Sequence, residues 1–273
     1  MKGRVLVVAG SDSGGGAGIQ GDIKAITALG AYAATAITAL TAQNTQGVFG
    51  IHPAPLDFIR QQMELVLDDI GADAIKTGML ADAPTIALVC DVLAERAPDI
   101  PLVADPVMIA KGGAALLDPA ALEALRRRLL PRAAVLTPNI PEAEALSGLT
   151  IRDVAEQEAA ARALRALGPR AVLVKGGHGG GARVIDVLAM QDGAVVRMEA
   201  ARIETRHTHG TGCTLASAIA AGIAQGLGLE SAVRRARAYV QAAIAAAPGF
   251  GKGHGPLAHD VTVRPETLRW DEA

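Results

Sequence analysis

Aromatic side chains are scarce in this chain. Only 2% of its 273 residues are Phe, Trp or Tyr, although half of the residues are apolar. The core must therefore be built from Ala, Val, Leu and Ile, which suits helices packed on a parallel sheet. The chain is long enough to bury a sizeable core, and it shows no internal repeat and no low-complexity linker. We therefore expect one domain over residues 1–273.

The chain also has few cysteines, little excess of one charge sign and no long apolar run. The two cysteines, Cys90 and Cys213, form no disulfide framework and no metal-binding motif, which favours a reducing, cytoplasmic setting. The net charge is -2 with acids and bases interspersed, so nothing indicates nucleic acid or an anionic membrane as partner. No apolar run reaches about 18 residues, so we expect no transmembrane helix, and the N-terminus does not resemble a signal peptide.

Short apolar segments alternate with segments of helical period, which predicts an α/β fold with a mostly parallel sheet wrapped by helices. Gln191-Asp192-Gly193 separates two apolar segments and predicts a hairpin. The predicted strands are Arg4–Ala9, Ala33–Leu40, Ala74–Lys76, Leu102–Ala104, Val135–Leu136, Ala171–Val174, Val184–Met190 and Ala194–Ala200. The predicted helices are Ala17–Leu29, Leu56–Asp69, Pro84–Arg96, Pro119–Leu129, Pro141–Ser147, Val154–Leu167, Thr214–Gln225 and Glu230–Ala247.

A glycine-rich loop, Gly10–Gly16, follows the first predicted strand, and Gly16–Gly21 spells G-x-G-x-x-G. A dinucleotide-binding fold would need an acidic residue about 20 positions further on. No Asp or Glu occurs between Asp22 and Asp57, and no phosphate-binding G-x-x-x-x-G-K-[ST] motif exists. The loop therefore indicates a ligand site at the carboxyl end of a strand, or only a turn that needs glycine.

Two further glycine-rich loops are less specific. Lys175–Gly181 follows a predicted strand, and a lysine beside glycines there suits the phosphates or base of a nucleotide. Phe250–Pro256 is a similar loop that carries Lys252.

Gly210-Thr211-Gly212 begins a predicted helix and is a stronger signal. Unpaired backbone N–H groups and the helix dipole converge there, and the glycines allow an anion to approach closely. The sequence predicts an anion site, with a plain helix cap by Thr211 as the alternative.

Carboxylates also follow predicted strands. Asp105 ends Leu102–Ala104, and Glu142 follows Asn139 at the spacing N-x-x-E. Carboxylates near an anion site suit Mg²⁺ bound to phosphates, often through water. Helix capping is the alternative for each, and capping alone is less natural for Glu142.

Taken in order, these segments resemble the hydroxymethylpyrimidine/phosphomethylpyrimidine kinases, which belong to the ribokinase-like superfamily. The matching motifs are AGSDSGGGAGIQGD, TALTAQNT, KTGML, ADPVM, LTPNIPEAEAL, VKGGH, THGTGCT and GKGHGP, which extend over nearly the whole chain. The resemblance implies a three-layer α/β/α sandwich, a homodimer, and two successive phosphorylations by ATP with Mg²⁺. The acceptors would be 4-amino-5-hydroxymethyl-2-methylpyrimidine (HMP) and then its monophosphate.

The resemblance also implies roles for individual residues. Gln43 would pair with the aminopyrimidine edge, because its amide offers both a donor and an acceptor. The pyrimidine pocket would be lined by Asp22, Gly10, Met79 and Val107. ATP would be bound by Lys175, Asn139, Glu142 and Lys252, and the metal would be held by Asp105 and Glu142. The catalytic anion hole would be formed by Gly210, Thr211, Gly212 and Cys213. Ser13-Gly14 departs from the family pattern, which affects only the conformation of that loop.

Cys213 stands where kinases of the wider superfamily usually carry Asp as a base. A helix N-terminus can lower a thiol pKa, so Cys213 is a candidate base. A second hypothesis concerns the second step, whose phosphate acceptor is already mostly ionised and needs no base. A carboxylate at that place would repel the acceptor by about 4 kcal/mol at ~4 Å and a dielectric near ~20, and a thiol avoids this repulsion. Metal binding is disfavoured, and His209 is expected to be structural.

Three rival functions remain open at this point. One is a pyridoxal-type kinase of the same fold. Another is a non-catalytic pyrimidine sensor, against which Asp105, Glu142, Lys175 and the intact anion loop argue. The third is the dehydrogenase suggested by the first glycine loop, which lacks the acidic residue for the ribose.

Overall fold

The computed structural model describes residues 1–108 and 119–264. The strands are β1 Arg4–Ala9, β2 Tyr32–Ile37, β3 Ala39–Asn44, β4 Gly47–Pro53, β5 Ala74–Thr77, β6 Leu102–Ala104, β7 Val135–Leu136, β8 Val172–Val174, β9 Arg183–Ala189 and β10 Val195–Ala201. The helices are α1 Gly18–Ala28, α2 Leu56–Asp69, α3 Ala83–Arg96, α4 Pro119–Ala124, α5 Ile140–Ser147, α6 Val154–Arg165, α7 Thr211–Ala224 and α8 Leu229–Ala245.

An eight-stranded sheet runs through the molecule in the order β10-β9-β8-β7-β6-β5-β1-β2. The six strands from β8 to β2 are parallel to one another. Strand β9 is antiparallel to β8 and forms an antiparallel hairpin with β10 at one edge. The parallel strands are short and almost wholly apolar, as expected for strands covered on both faces. The predicted mostly parallel sheet and the hairpin at Gln191–Gly193 are confirmed.

Helices cover both faces of the sheet and create two separate cores. On one face, α1, α7 and α8 bury residues such as Ile26, Ile219 and Val233 against the strands. On the other face, α2 to α6 bury residues such as Leu93 and Leu164. Small alanines on α7 and α8 allow these helices to lie close to each other, which compensates for the lack of aromatic side chains. The result is three layers, α/β/α.

The predicted strand Ala33–Leu40 is wrong in one respect, because it is split at Thr38. The backbone N–H of Thr38 donates to Ala9 O, and its buried hydroxyl donates to Met79 O at 2.7 Å. These bonds end β2 and redirect the chain into β3. Strands β3 and β4 then pair as a separate hairpin beyond the carboxyl edge of the large sheet.

Among the described residues, no helix has the length and apolar character needed to cross a membrane. Cys90 and Cys213 are both free thiols, as expected from their spacing.

Two backbone contacts close the carboxyl edge of the sheet around the glycine loops. Gly210 has φ +81°, and a Cβ there would lie 1.8 Å from Gly16 O. Gly18 has φ +53°, and its Cβ would lie 2.5 Å from Gly10 O. Only glycine permits these approaches, so the starts of α1 and α7 are held against each other.

Substitution of Gly210 tests this contact. Gly193 is a matched control, because it also has a positive φ, +90°, but has open space around its Cβ position. Gly193→Ala is expected to lower the free energy of unfolding by about 1–2 kcal/mol through backbone strain. Gly210→Ala is expected to cost about 1–3 kcal/mol more through the clash with Gly16. Urea unfolding of both variants checks this, and equal costs would contradict the proposed contact.

Candidate active site

A cavity of about 880 Å³ opens at the carboxyl edge of the parallel strands. Its size is typical of a site for small molecules, and this edge is where open α/β sheets bind ligands. Of the residues expected in the site, the lining contains Gly10, Gln43, Met79, Asp105, Val107, Asn139, Glu142, Lys175, Gly210, Thr211, Gly212 and Cys213. Residues from seven separate segments of the chain therefore meet in one place.

The N-termini of α1 and α7 converge in the cavity at Cys213. Within the described residues neither helix has a side-chain cap at its start. The Ile19 N–H donates to Gly10 O, and the Thr211 N–H donates to Thr208 O. At the start of α7, the N–H groups of Gly212 and Cys213 are therefore the ones left for a ligand. Gly210 occupies the N-cap position of α7, and the Thr211 hydroxyl donates instead to Thr208 O at 2.8 Å. The alternative of a plain cap by Thr211 is therefore wrong. Two helix dipoles favour negative charge at this point.

The Cys213 thiol lies between these helix ends, and the backbone N–H of Gly18 donates to it. Burial raises the pKa of Cys213 to about 12, and the carboxylates of Asp22 and Asp105 add to this effect. Lys76 and the Gly18 N–H oppose it but do not outweigh it. The thiol is therefore neutral near pH 7, and the hypothesis that the helix N-terminus makes it a thiolate is not supported.

A buried ion pair lies beneath the thiol. Lys76 Nζ donates to Asp22 Oδ2 at 2.8 Å, and both side chains are completely buried in protein. Ser217 donates to the other oxygen of Asp22 at 2.7 Å. Burial opposes ionisation of Lys76, but Asp22, Cys213 and Asp105 together raise its pKa, so it stays protonated. Lys76 lines the cavity, which places a fixed positive charge at its floor.

A second lysine joins the carboxylates on the other side of the cavity. Lys175 Nζ donates to Asp105 Oδ1 at 3.0 Å and lies 4.0 Å from Glu142 Oε2. Asp105 also accepts a hydrogen bond from the Thr137 hydroxyl at 3.2 Å. A Cβ at Gly212 would lie 3.1 Å from Lys175 Nζ, so the anion loop and this lysine are in contact.

Glu142 caps a helix and also lines the cavity near Lys175, so capping is not its only contact. The Asn139 backbone N–H donates to Glu142 Oε2 at 2.8 Å, and the Glu142 backbone N–H donates to Asn139 Oδ1 at 2.9 Å. This reciprocal pair is a capping box at the start of α5. Burial raises the pKa of Glu142 to about 7; Lys175 opposes the rise and Asp105 adds to it.

Asp105 and Glu142 fit a magnesium ion held together with phosphates. Residues 1–108 and 119–264 contain no group of three or more His, Cys, Asp and Glu side chains that forms a closed metal cage. Mg²⁺ usually keeps several waters and binds through one or two carboxylates plus substrate phosphates. Burial disfavours the charged form of Glu142 and raises its pKa, and a cation bound there would oppose this effect.

At one end of the cavity, Gln43 extends from the β3–β4 hairpin toward Gly10 and Met79. A Cβ on Gly10 would lie 2.6 Å from Met79 Cε, so glycine leaves room for the methionine. The terminal amide of Gln43 lies 3.1 Å from His209 Nε2, which is 2.8 Å from Asp12 Oδ2. This end combines apolar walls with one amide and suits a small polar ring.

At the other end, a loop and α8 are joined by Asp186. The Gly176 backbone N–H donates to Asp186 Oδ1, and Arg237 Nε donates to Asp186 Oδ2, both at 2.7 Å. Asp186 and Arg237 both line the cavity. This arrangement orders the glycine loop that begins after Lys175.

Comparison with known proteins identifies the family of this chain. A model of the phosphomethylpyrimidine kinase family matches residues 12–258. The chain belongs to the phosphomethylpyrimidine kinase family.

Two relatives are similar over almost the whole chain. The thiamine biosynthesis bifunctional protein ThiED of Geobacter sulfurreducens is 51% identical over 94% of this chain, and this chain covers 52% of that longer protein. The hydroxymethylpyrimidine/phosphomethylpyrimidine kinase of Haemophilus influenzae is 48% identical over 94% of this chain and 96% of the relative.

Solved structures agree with the family assignment. An ADP complex of Bacillus subtilis pyridoxal kinase superposes with a TM-score of 0.88 at 35% identity, covering 96% of this chain and 98% of that one. The phosphomethylpyrimidine kinase of Clostridium difficile gives a TM-score of 0.77 at 40% identity, covering 88% and 98%. The expected ribokinase-like α/β/α sandwich is confirmed.

Two expected site residues of this phosphomethylpyrimidine kinase family member lie outside the cavity lining. Asp22 is completely buried below the lining and reaches the cavity only through Lys76. Lys252 is exposed on a loop that packs on the β3–β4 turn, where the Gly253 N–H donates to the Thr45 hydroxyl at 3.2 Å. Neither side chain lines the cavity in the described structure.

Sequence reasoning also missed functional candidates. Lys76 carried a usable signal, since a lysine that ends a buried apolar strand needs a counter-ion. Asp22 on the apolar face of α1 is that counter-ion. His209 was expected to be structural, yet it lines the cavity together with Asp12. No local pattern indicates this last pair, because the two residues are joined only by the fold.

The Lys76–Asp22 pair gives a stability prediction. Lys76→Met leaves a buried carboxylate without its partner and is expected to cost about 3–5 kcal/mol of unfolding free energy. The double variant Asp22→Asn/Lys76→Met removes both charges and is expected to recover most of that loss. Urea unfolding measures both, and a double variant less stable than the single one would contradict the pairing.

Burial of the Cys213 thiol gives a pH prediction. In a Cys90→Ser background, the alkylation rate of Cys213 by iodoacetamide should rise with pH through pH 9 without a plateau, because the thiol pKa is raised to about 12. The same chain unfolded in urea should titrate near the usual value of about 8.5. A plateau in the folded protein below pH 8 would show a thiolate and overturn the assignment.

Proposed function

We propose that this protein is an ATP-dependent kinase that phosphorylates the hydroxymethyl group of HMP and then phosphorylates the monophosphate to the diphosphate, in thiamine biosynthesis. The observation that carries the proposal is the pair of helix N-termini at Cys213, between a small polar pocket and Lys175. The names of the relatives that match nearly the whole chain supply the substrate class.

We propose that the acceptor ring occupies the end of the cavity with Gln43, Gly10, Met79 and Val107. The amide of Gln43 would then pair with the aminopyrimidine edge, through one donor and one acceptor. The hydroxymethyl group would point toward Gly210–Cys213. This orientation would leave the part of the cavity lined by Lys175, Asp186 and Arg237 for a nucleotide.

The transferred phosphoryl group would lie at the N-termini of α1 and α7. Backbone N–H groups there would stabilise its equatorial oxygens, and Lys175 would contact the phosphates. Asp105 and Glu142 would hold Mg²⁺, through water, with Asn139 fixing Glu142. When bound, the ion neutralises charge on the phosphates.

In the first step the hydroxymethyl oxygen attacks the γ-phosphorus, the bond from that phosphorus to the ADP oxygen breaks, and the hydroxyl proton is released. Because phosphoryl transfer is largely dissociative, that proton need not be removed early, and a neutral Cys213 is compatible with the reaction. In the second step a monophosphate oxygen is the nucleophile and is already ionised near pH 7. A neutral thiol therefore serves both acceptors.

The assay is incubation of the protein with Mg-ATP and HMP, followed by separation of HMP, its monophosphate and its diphosphate. Monophosphate should appear first and diphosphate should follow. Lys175→Met should lower kcat/KM by about a hundredfold or more. Lys252→Met is the matched control, because it removes a lysine from another glycine loop but lies outside the cavity, and it should leave turnover unchanged.

Pyridoxal is the second candidate acceptor, and the close similarity to a pyridoxal kinase structure favours testing it. It should be run beside HMP under the same conditions. Turnover of pyridoxal with none of HMP would overturn the proposal in favour of a pyridoxal kinase. Binding of Mg-ATP without turnover of either ring would favour a non-catalytic sensor.

We also propose that one kinase domain, residues 1–273, functions in the cytoplasm as a homodimer formed through the β3–β4 hairpin. Phe49 and Ile51 on strand β4 are exposed, with Phe49 72% accessible, and Leu40 is exposed on strand β3. Exposed apolar patches of this kind often mark interfaces. Sedimentation equilibrium should give a dimer for the wild type and a monomer for Phe49→Asp, whereas a monomeric wild type would contradict the proposal.

A further inference from the structure

One nitrogen of the His209 ring contacts two side chains at the acceptor end of the cavity. His209 Nε2 lies 2.8 Å from Asp12 Oδ2 and 3.1 Å from the terminal amide of Gln43. The side chains of His209 and Asp12 are only 11% and 3% exposed. A single imidazole nitrogen either donates or accepts a hydrogen bond. A partner that can only accept therefore decides whether this nitrogen carries a hydrogen.

Asp12 is the partner that can only accept. Its carboxylate accepts backbone N–H bonds from Gly14 at 2.8 Å, from Ala17 at 2.9 Å and from Gly16 at 3.2 Å. Burial tends to raise the pKa of Asp12, but the bonds from His209 and these amides outweigh it and hold the pKa below its usual range. Asp12 is therefore an ionised acceptor, and His209 Nε2 carries a hydrogen whether the ring is neutral or charged.

Thr41 contacts the other terminal atom of the Gln43 amide and can only accept a hydrogen bond from it. The Thr41 hydroxyl donates its one hydrogen to Ser11 O at 2.8 Å. Its oxygen also lies 3.4 Å from the second terminal atom of Gln43. Because its hydrogen is already used, Thr41 offers only a lone pair to the amide.

These two contacts decide the orientation of the amide. The oxygen and nitrogen of a glutamine exchange places on a half-turn of the last side-chain bond, so hydrogen-bond partners determine which is which. With nitrogen toward His209, two N–H groups would face each other and the carbonyl would face a lone pair of Thr41. With oxygen toward His209 and nitrogen toward Thr41, the Thr41 contact becomes a hydrogen bond. The His209 contact becomes the second branch of a bifurcated hydrogen bond whose main acceptor is Asp12.

We propose that Asp12 and His209 are positioning residues that hold the Gln43 amide with its oxygen toward the imidazole, and thereby set the order of donor and acceptor offered to the acceptor ring. This inference rests on the proposed role of Gln43 in binding that ring. A ring whose amino group donates and whose adjacent nitrogen accepts fits one amide orientation only. A freely rotating amide would accept either order of donor and acceptor on the ring. The His209–Asp12 pair therefore discriminates between rings that differ in this order.

Nuclear magnetic resonance tests the orientation without any substrate. In protein labelled with ¹⁵N-histidine and ¹⁵N-glutamine, the His209 signal is assigned by its loss in His209→Gln. We expect hydrogen on Nε2 of His209, and cross-relaxation from the Gln43 NH₂ group to the Thr41 methyl. Hydrogen on Nδ1 only, or cross-relaxation from the Gln43 NH₂ group to the His209 ring protons instead, would overturn the proposal.

Kinetics test the consequence. His209→Leu removes the donor and should raise KM for HMP about tenfold, equal to ~1.4 kcal/mol, with kcat changed by less than about threefold. His209→Gln supplies N–H donors at a similar distance and should restore KM to within about threefold. Loss of kcat in both variants with KM unchanged would overturn the positioning role. If the wild type fails to phosphorylate HMP, the proposed function fails, while the resonance experiment still decides the amide orientation.

Discussion

The close approach of two backbone segments is the constraint on which the rest of the site depends. Gly210 lies directly against the carbonyl of Gly16, and Gly18 lies against the carbonyl of Gly10, at distances that exclude any Cβ. This contact brings the first turns of α1 and α7 to one point at the carboxyl edge of the sheet. The dipoles of both helices therefore act on the same small volume, where the protein places a thiol instead of a carboxylate.

The charges around this point are nearly balanced within the protein. Lys76 is matched by Asp22 below the cavity, and Lys175 is matched by Asp105 with Glu142 nearby. These pairs fix the side chains in position and neutralise much of their charge. Under the proposed function, the attraction for an incoming phosphate would therefore come to a large extent from backbone N–H groups, which need no reorganisation when the substrate arrives.

Much of the fold was predictable because short apolar segments alternate with helical ones, and the carboxyl ends of parallel strands meet at one edge. For that reason Asp105, Lys175 and the loop at Gly210 are in one cavity, as expected. The β3–β4 hairpin was not predictable, because it depends on the tertiary hydrogen bonds of Thr38. The pairing of Lys76 with Asp22, and of His209 with Asp12, likewise depends on residues distant in sequence. The Lys252 loop, by contrast, packs on the β3–β4 turn outside the cavity lining, and its sequence carries no signal for that position.

The central claim is that a neutral group at position 213 allows one site to serve both an alcohol and a phosphate as acceptor. The most direct test measures the two phosphorylations separately in Cys213→Asp, with Cys213→Ser as the neutral control. The carboxylate should repel the monophosphate by about 4 kcal/mol at ~4 Å and a dielectric near ~20, so the second step should fall by about a hundredfold or more relative to the first. Cys213→Ser should keep the ratio of the two steps close to that of the wild type. Equal effects of Cys213→Asp on both steps would contradict this explanation of the thiol.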